Sequence, residues 1–148
     1  MQYEIYPVDG IAHRHAIEYL NSLCPETFPA LTVRHLQDGF WWLVYLGDDP
    51  VGFAGMVPFV PFDGVWYLKR CYLKPSARGH NLQYRLMVAR IAKAKNIGCK
   101  MLVSECLESN SFSARNFSRA GFERIEPEQK WGHPDSIYWM KVLAAAHA

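Results

Sequence analysis

Apolar and polar positions regroup along the chain in a way that predicts most of its elements. Residues 3–8, YEIYPV, read as a short strand. Between Ile11 and Leu23 the apolar Ile17, Leu20 and Leu23 recur at helical spacing, which predicts a helix stopping near Pro25. A second short helix is expected over 30–37. The run FWWLVYLGDDPVGFAGMVPF then splits around the Gly-Asp-Asp-Pro turn Gly47–Pro50, a hairpin signal between two strands. Within the first of them Trp41 and Trp42 fall on opposite faces. VWYLKRCYL, residues 65–73, adds a third strand to this meander.

After Leu73 the period changes. From about residue 80 to 96, apolar positions 82, 86 and 89 line one side of a long helix and 87, 91 and 94 another. Such a helix is largely buried, with basic residues at its margins. Gly98 stops it, and KMLVSECL, residues 100–107, follows as a buried strand. Strand, crossover helix and strand form a right-handed unit, so 65–73 and 100–107 are expected to be parallel. NSFSARNFSRAGF reads as a short helix opened by Ser109 or Asn110 and closed by Gly121. FERIEPEQKW and SIYWMKVL supply two closing strands around GHPD, and the tail AAAHA is expected to fray. With 148 residues and no repeat or low-complexity linker, the sum is a single α/β domain, 1–148, with a mixed sheet.

Composition narrows the classes. Half of the residues are hydrophobic and 14% aromatic, which argues against disorder. The longest uncharged run of the Phe-rich middle, 50–62, has 13 residues and three prolines, against the roughly 20 apolar residues of a spanning helix. With no stretch able to span, no membrane partner is expected, and MQYEIYPVDG lacks the basic and then apolar order of a signal peptide. Cys24, Cys71, Cys99 and Cys106 show no paired metal-type spacing and read as reduced thiols of a cytoplasmic protein. The six histidines are scattered, and His13 and His15 fall on different helix faces, so no metal site is expected.

Charge changes the picture more. The net +2 conceals a run from Asp63 to Glu105 without one intervening acid, which holds nine of the sixteen basic residues. The rest of the chain carries seven basic and fourteen acidic residues, or −7. The basic run is centred on ARGHNLQ, the junction of strand and long helix. It favours a polyanionic ligand over a merely solvated basic face.

Two motifs around that junction resemble the GCN5-related N-acetyltransferase (GNAT) superfamily. LKPSARGHNLQYRLM is similar to the family's strand-Pro-turn followed by Arg/Gln-x-x-Gly-x-Gly/Ala and a helix. ECLESNSFSARNFSRAGF is similar to its strand, Asn and short helix ending in Gly-Phe. The resemblance covers nearly the whole chain and is densest from Tyr67 to Phe122. It implies a mixed, mostly antiparallel sheet with a central parallel strand pair flanked by helices. It also implies acetyl-CoA as cofactor and transfer of an acetyl group to an amine. In the family the turn wraps the coenzyme A pyrophosphate with backbone N–H groups at a helix N-terminus, where unpaired donors and the helix dipole favour an anion. By this resemblance Arg78, Gly79, His80, Asn81, Leu82 and Gln83 hold the pyrophosphate. Asn81 and Gln83 stand where the motif glycines usually stand. Asn81 tolerates left-handed backbone, whereas Gln83 needs only helical geometry and adds a side-chain amide. Arg78, Lys74 and the rest of the basic run suit the phosphates.

The resemblance also assigns Cys71, Tyr72 and Leu73 to backbone pairing with the pantetheine arm, and the Cys71 N–H to polarising the thioester carbonyl. The Cys71 thiol itself reads as core filling. The family's tyrosine acid is matched by Phe117, whose ring should lie beside the pantetheine sulfur. Its early-strand glutamate is matched by Tyr67. Glu105 is then the candidate base, with pairing to the basic run as its structural alternative; water, Tyr67 and Tyr72 are other proton routes. Asn110 is expected to bond the pantetheine, a role compatible with capping the short helix. Phe59, Phe62, Trp66 and Trp131 either wall an acceptor pocket or fill core. The acceptor is a small-molecule or peptide amine, cationic if the −7 charge guides it, and a homodimer is left open. A coenzyme-A-binding sensor without turnover is a second reading, supported by Phe117. A nucleic-acid-binding module is a third, disfavoured because aromatics interleave with the basic run only around Trp66, Tyr67 and Tyr72, so no nucleic acid is expected as a partner.

Overall fold

The structure, a computed structural model, describes residues 2–24 and 30–143. Its elements run β1 (Tyr3–Val8), α1 (Arg14–Ser22), α2 (Val33–Asp38), β2 (Phe40–Leu46), β3 (Asp49–Pro58) and β4 (Val65–Leu73). Then follow a 3-10 turn (Pro75–Ala77), α3 (Leu82–Asn96), β5 (Met101–Leu107), α4 (Ser111–Arg119), β6 (Glu123–Ile125) and β7 (Ser136–Val142). The strands form a seven-stranded sheet in the order β1-β2-β3-β4-β5-β7-β6. It is mostly antiparallel, with β4 and β5 as the parallel pair that the crossover helix required. Among the described residues, no helix is long and apolar enough to cross a membrane. The chain forms two compact units: residues up to Pro58 with Lys69–Leu86, and Phe59–Leu68 with the residues from Met87 onward.

In the first unit, the β2–β3 hairpin turns on Gly47 and Asp48, with Leu46 opposite Asp49. Gly47 has φ 62°, a left-handed conformation at the first central position that glycine adopts without steric cost. The turn is tighter than the four-residue one expected, because Asp49 and Pro50 already belong to β3. Trp41 and Trp42 are both buried, so β2 is covered on both faces. Gly55 on β3 leaves room for the Trp41 indole, whose ring atoms a Cβ there would strike. Ile17 and Leu20 of α1 and Leu36 of α2 complete this core.

Both helices begin later than the periodicity predicted, because side chains set their starts. Asp9 Oδ1 accepts from the N–H groups of Ile11 (3.0 Å) and Ala12 (2.8 Å), holding residues 11–13 in a turn ahead of α1. Thr32 caps α2 reciprocally: its Oγ1 accepts from His35 N–H at 3.1 Å, and its own N–H donates to His35 Nδ1 at 3.4 Å. The expected helix stop at Pro25 and the tail from residue 144 lie outside the described residues.

That capping box carries a pH dependence. Burial first, then the charges of Lys69 and Arg70, push the His35 pKa below its ordinary value. The folded state therefore binds fewer protons than the unfolded chain just below the unfolded pKa of about 6.5. Stability present above about pH 6.5 is expected to fall as the pH drops through the unfolded value toward the lower folded one. Denaturant unfolding at pH 7.5 and at pH 5.5, in wild type and His35→Gln, measures it. The variant keeps a capping residue without the titration, so its loss between the two pH values should be smaller; an equal loss would absolve His35.

In the second unit β4 pairs with β5 over Val65↔Met101, Trp66↔Leu102 and Tyr67↔Val103. Just beyond, a side chain takes over, as Ser104 Oγ donates to the Leu68 carbonyl at 3.0 Å. β7 lies along the whole of β5, from Met101↔Val142 to Leu107↔Ser136. The closing strand expected from FERIEPEQKW shrinks to Glu123–Ile125. Pro127, which has no N–H for a ladder, follows two residues later, and 126–135 runs as a connection to β7.

Candidate functional site

The junction singled out by its charge is built in the first unit. β4 ends at Leu73, the 3-10 turn follows, and α3 starts on Asn81, whose carbonyl accepts the Arg85 N–H at 3.1 Å. Two residues of the turn are left-handed: Gly79 at φ 85° and Asn81 at φ 61°. Asparagine is one of the few side chains that tolerate this backbone, which explains its presence where a glycine is usual in the similar motif. A Cβ built on Gly79 would meet nothing within 4 Å, so the backbone there is open to approach. The positive end of the α3 dipole lies at this turn, and the first helical turn carries no acid.

The neighbouring side chains are largely engaged. Arg78 Nε donates to the Leu73 carbonyl at 3.1 Å, and its guanidinium lies 5.9 Å from the Tyr72 ring centroid, so it pins the turn onto the end of β4. Lys74 lies 3.7 Å from Asp49 Oδ1 and 5.0 Å from the Tyr19 ring centroid. Its pKa is raised by the Tyr19 contact and then by Asp49. The His80 ring rests 4.7 Å from that of Tyr3, and Tyr3 OH donates to the Ser76 carbonyl at 3.2 Å. Arg70 is itself left-handed, at φ 62°, immediately before Cys71, and its Nε donates to Asn21 Oδ1 at 3.1 Å. A non-glycine residue held there inside a strand is backbone strain. The basic run is thus not one surface: Arg70 is tied to α1, Lys74 is paired, and Arg90 is buried within the second unit.

Glu105, the candidate base, sits in the second unit, and its partners are not the basic run. Tyr67 OH donates to Glu105 Oε1 at 2.7 Å, and His133 N–H donates to Oε2 at 3.1 Å. The carboxylate lies so close over Gly132 that any Cβ there would collide with both of its oxygens. Tyr138 OH locks the same loop, accepting from Gly132 N–H at 3.2 Å and donating to the His133 carbonyl at 3.0 Å. Burial raises the Tyr138 pKa, so this phenol keeps the proton that it donates. The GHPD segment between the closing strands is therefore a cradle for one carboxylate. The close approach at Gly132, the His133 N–H and Tyr138 were not identified from the sequence.

Of the aromatic residues left open between pocket wall and core, three join Tyr67 in one cluster. Phe59 stacks on Phe62 (5.8 Å) and on Tyr67 (5.7 Å), and meets Trp131 edge-on at 5.4 Å. Trp131 in turn meets Tyr138 at 4.6 Å. Its Nε1–H is covered and has no partner among the described residues. Next to the cluster, an open groove is lined by Leu107, Glu108, Ser109, His133 and Asp135.

Asn110 is the N-cap of α4, its Oδ1 accepting from Ser113 N–H at 3.1 Å. Phe117 is buried between two rings, stacked on Trp139 at 5.4 Å and edge-on to Phe122 at 5.2 Å. It fills core in this unit, which accounts for the ring without any ligand. Three of the thiols hold their protons near neutrality: burial pushes Cys24 up to about 11 and raises Cys99 and Cys106.

Comparison with known proteins places this geometry. The chain superposes on an N-acetyltransferase from Staphylococcus aureus Mu50 with a TM-score of 0.78 at 16% identity, covering 96% of this chain and 99% of that one. It superposes on yncA of Salmonella typhimurium, solved with acetyl-CoA, with a TM-score of 0.76 at 18% identity, covering 96% and 94%. A Bacillus subtilis acetyltransferase in complex with CoA matches with a TM-score of 0.62 at 16% identity, over 74% and 80%. No curated protein matches the sequence. At such identities these likenesses show the fold. The model of the acetyltransferase (GNAT) family matches residues 9–122, most of the chain and both motifs. The chain belongs to the acetyltransferase (GNAT) family.

Proposed function

We propose that the protein is an acetyl-CoA-dependent N-acetyltransferase whose acceptor is an amine. The observation that carries this reading is the turn at 79–81, where two left-handed residues open the backbone at the start of α3. That geometry suits a pyrophosphate, so the residues present fit coenzyme A. Arg78, Gly79, His80, Asn81, Leu82 and Gln83 would hold the phosphates, Cys71, Tyr72 and Leu73 the pantetheine, and the Cys71 N–H the thioester oxygen. Acetyl-CoA supplies the activated acyl carbon.

The chain's own residues handle protons. Glu105, acceptor-only when ionised, takes a proton from the substrate ammonium directly or through the Tyr67 hydroxyl that it holds. The neutral amine forms the C–N bond to the acyl carbon as the C–S bond breaks, and the thiolate leaves with the electron pair. The ammonium gives up two protons in all: one to Glu105 and thence to solvent, one to the thiolate. Phe117 has no proton to give, so water serves the thiolate. Asn110 keeps its Oδ1 on the helix cap, which leaves its amide as the group for the pantetheine.

Titration calorimetry with acetyl-CoA, then an amine panel followed by thiol release, tests the reading. Arg78→Ala is expected to weaken coenzyme A binding by only about 1 kcal/mol, roughly fivefold, because the side chain is exposed and already bonded to Leu73. Absence of acetyl-CoA binding by a folded protein would refute the reading. A coenzyme-A-binding sensor is the second reading, favoured by one observation, the ring-packed Phe117 in place of an acid. Binding without thiol release from any amine would select it.

A further inference from the structure

The ring cluster beside Glu105 has a chemistry of its own. Phe62, Phe59 and Tyr67 stack in sequence, and the last ring carries its hydroxyl to the Glu105 carboxylate. A core cluster would be buried, yet Phe62 is 58% exposed and Phe59, Tyr67 and Trp131 are only half-buried. The ladder therefore faces solvent at one end and a carboxylate at the other. Trp131 meets Phe59 edge-on and extends the aromatic wall. Beyond His133 the adjoining groove adds the carboxylates of Glu108 and Asp135, while Lys130 is turned onto the Pro134 carbonyl at 2.8 Å.

Resting on the transferase reading above, we infer that the acceptor is a small arylalkylamine: one primary ammonium, joined by a short linker to a flat apolar group. The ammonium belongs at Glu105 and the Tyr67 hydroxyl, where its charge is matched and ring faces attract cations. The flat group belongs against Phe59 and Phe62, where offset ring contact and burial favour it. A polyamine would gain the carboxylates and leave the rings uncovered. A simple alkylamine would keep the Glu105 contact and leave the rings uncovered.

The probes are phenethylamine and tryptamine against ethylamine, spermidine and a short peptide with a free N-terminus. Each is measured twice, by calorimetric binding to the intact protein and by thiol release with acetyl-CoA. Phenethylamine is expected to exceed ethylamine by about tenfold or more in both readouts, the amount one ring contact with its burial supplies. In Phe62→Ala, an exposed position outside the core, the phenethylamine-to-ethylamine ratio should fall, mainly through KM. Equal binding of phenethylamine and ethylamine, preference for spermidine or the peptide, or an unchanged ratio in Phe62→Ala each overturns the inference. If binding discriminates as expected but no amine releases thiol, the site stands for this ligand class and the transferase reading falls.

Discussion

Glu105→Gln is expected to lower kcat by about 10²–10⁴-fold, the range over which a positioned general base contributes. The amide keeps the volume and one acceptor, so the Tyr67 and His133 contacts have a replacement, while the proton acceptor is gone. Acetyl-CoA affinity should hold in the variant. Gly132→Ala tests the same carboxylate from behind. Its Cβ would collide with both Glu105 oxygens, so the carboxylate must move or the loop must open. Glycine 132 has no left-handed backbone to defend, which makes the collision the cause of any loss. The Ala variant should lose kcat with little change in cofactor binding, the signature of displaced geometry. An unchanged kcat in both variants would remove Glu105 from the chemistry.

The second large effect belongs to the turn before α3. Asn81→Val forces a β-branched residue into φ 61°, at a cost of about 1–3 kcal/mol, or roughly 5–150-fold in coenzyme A affinity if the bound turn must keep that shape. Asn81→Gly keeps the conformation and should bind as well as wild type. Gly79→Val, at φ 85° with open space around it, isolates the backbone term because no neighbour is struck. Calorimetry on variants with wild-type circular dichroism gives the comparison. Equal affinity across Asn81, Gly and Val would show that residue 81 is not held left-handed for the ligand.

How far the sequence reached depended on the range of the interaction that decides each feature. Strands and helices follow local periods, so the meander, the crossover helix and the parallel pair were legible, with ends moved by caps such as Asp9 and Thr32. The turn was legible because glycine and asparagine announce left-handed backbone themselves. Arg70 announces nothing: its φ of 62° occurs within VWYLKRCYL, and its anchor, Asn21, is 49 residues away. Glu105 was legible as a carboxylate at a strand end, but its partners Tyr67 and His133 lie 38 and 28 residues off. The charge run misled for a related reason. A sum over residues counts Arg90 and Lys74 equally with exposed cations, although one is buried and the other paired. Phe117 was placed by its position in a motif, while Trp139 and Phe122 explain it by packing.

The division into two compact units has a consequence for cutting and joining the chain. The backbone passes between the units at three places, after Pro58, after Leu68 within β4, and after Leu86 within α3. Each unit is therefore assembled from two stretches of polypeptide, and no single cleavage separates the units: a cut after Leu86 leaves Phe59–Leu68 with the first unit, and a cut after Pro58 leaves Lys69–Leu86 with the second. Parting the two cleanly takes a cut at all three crossings.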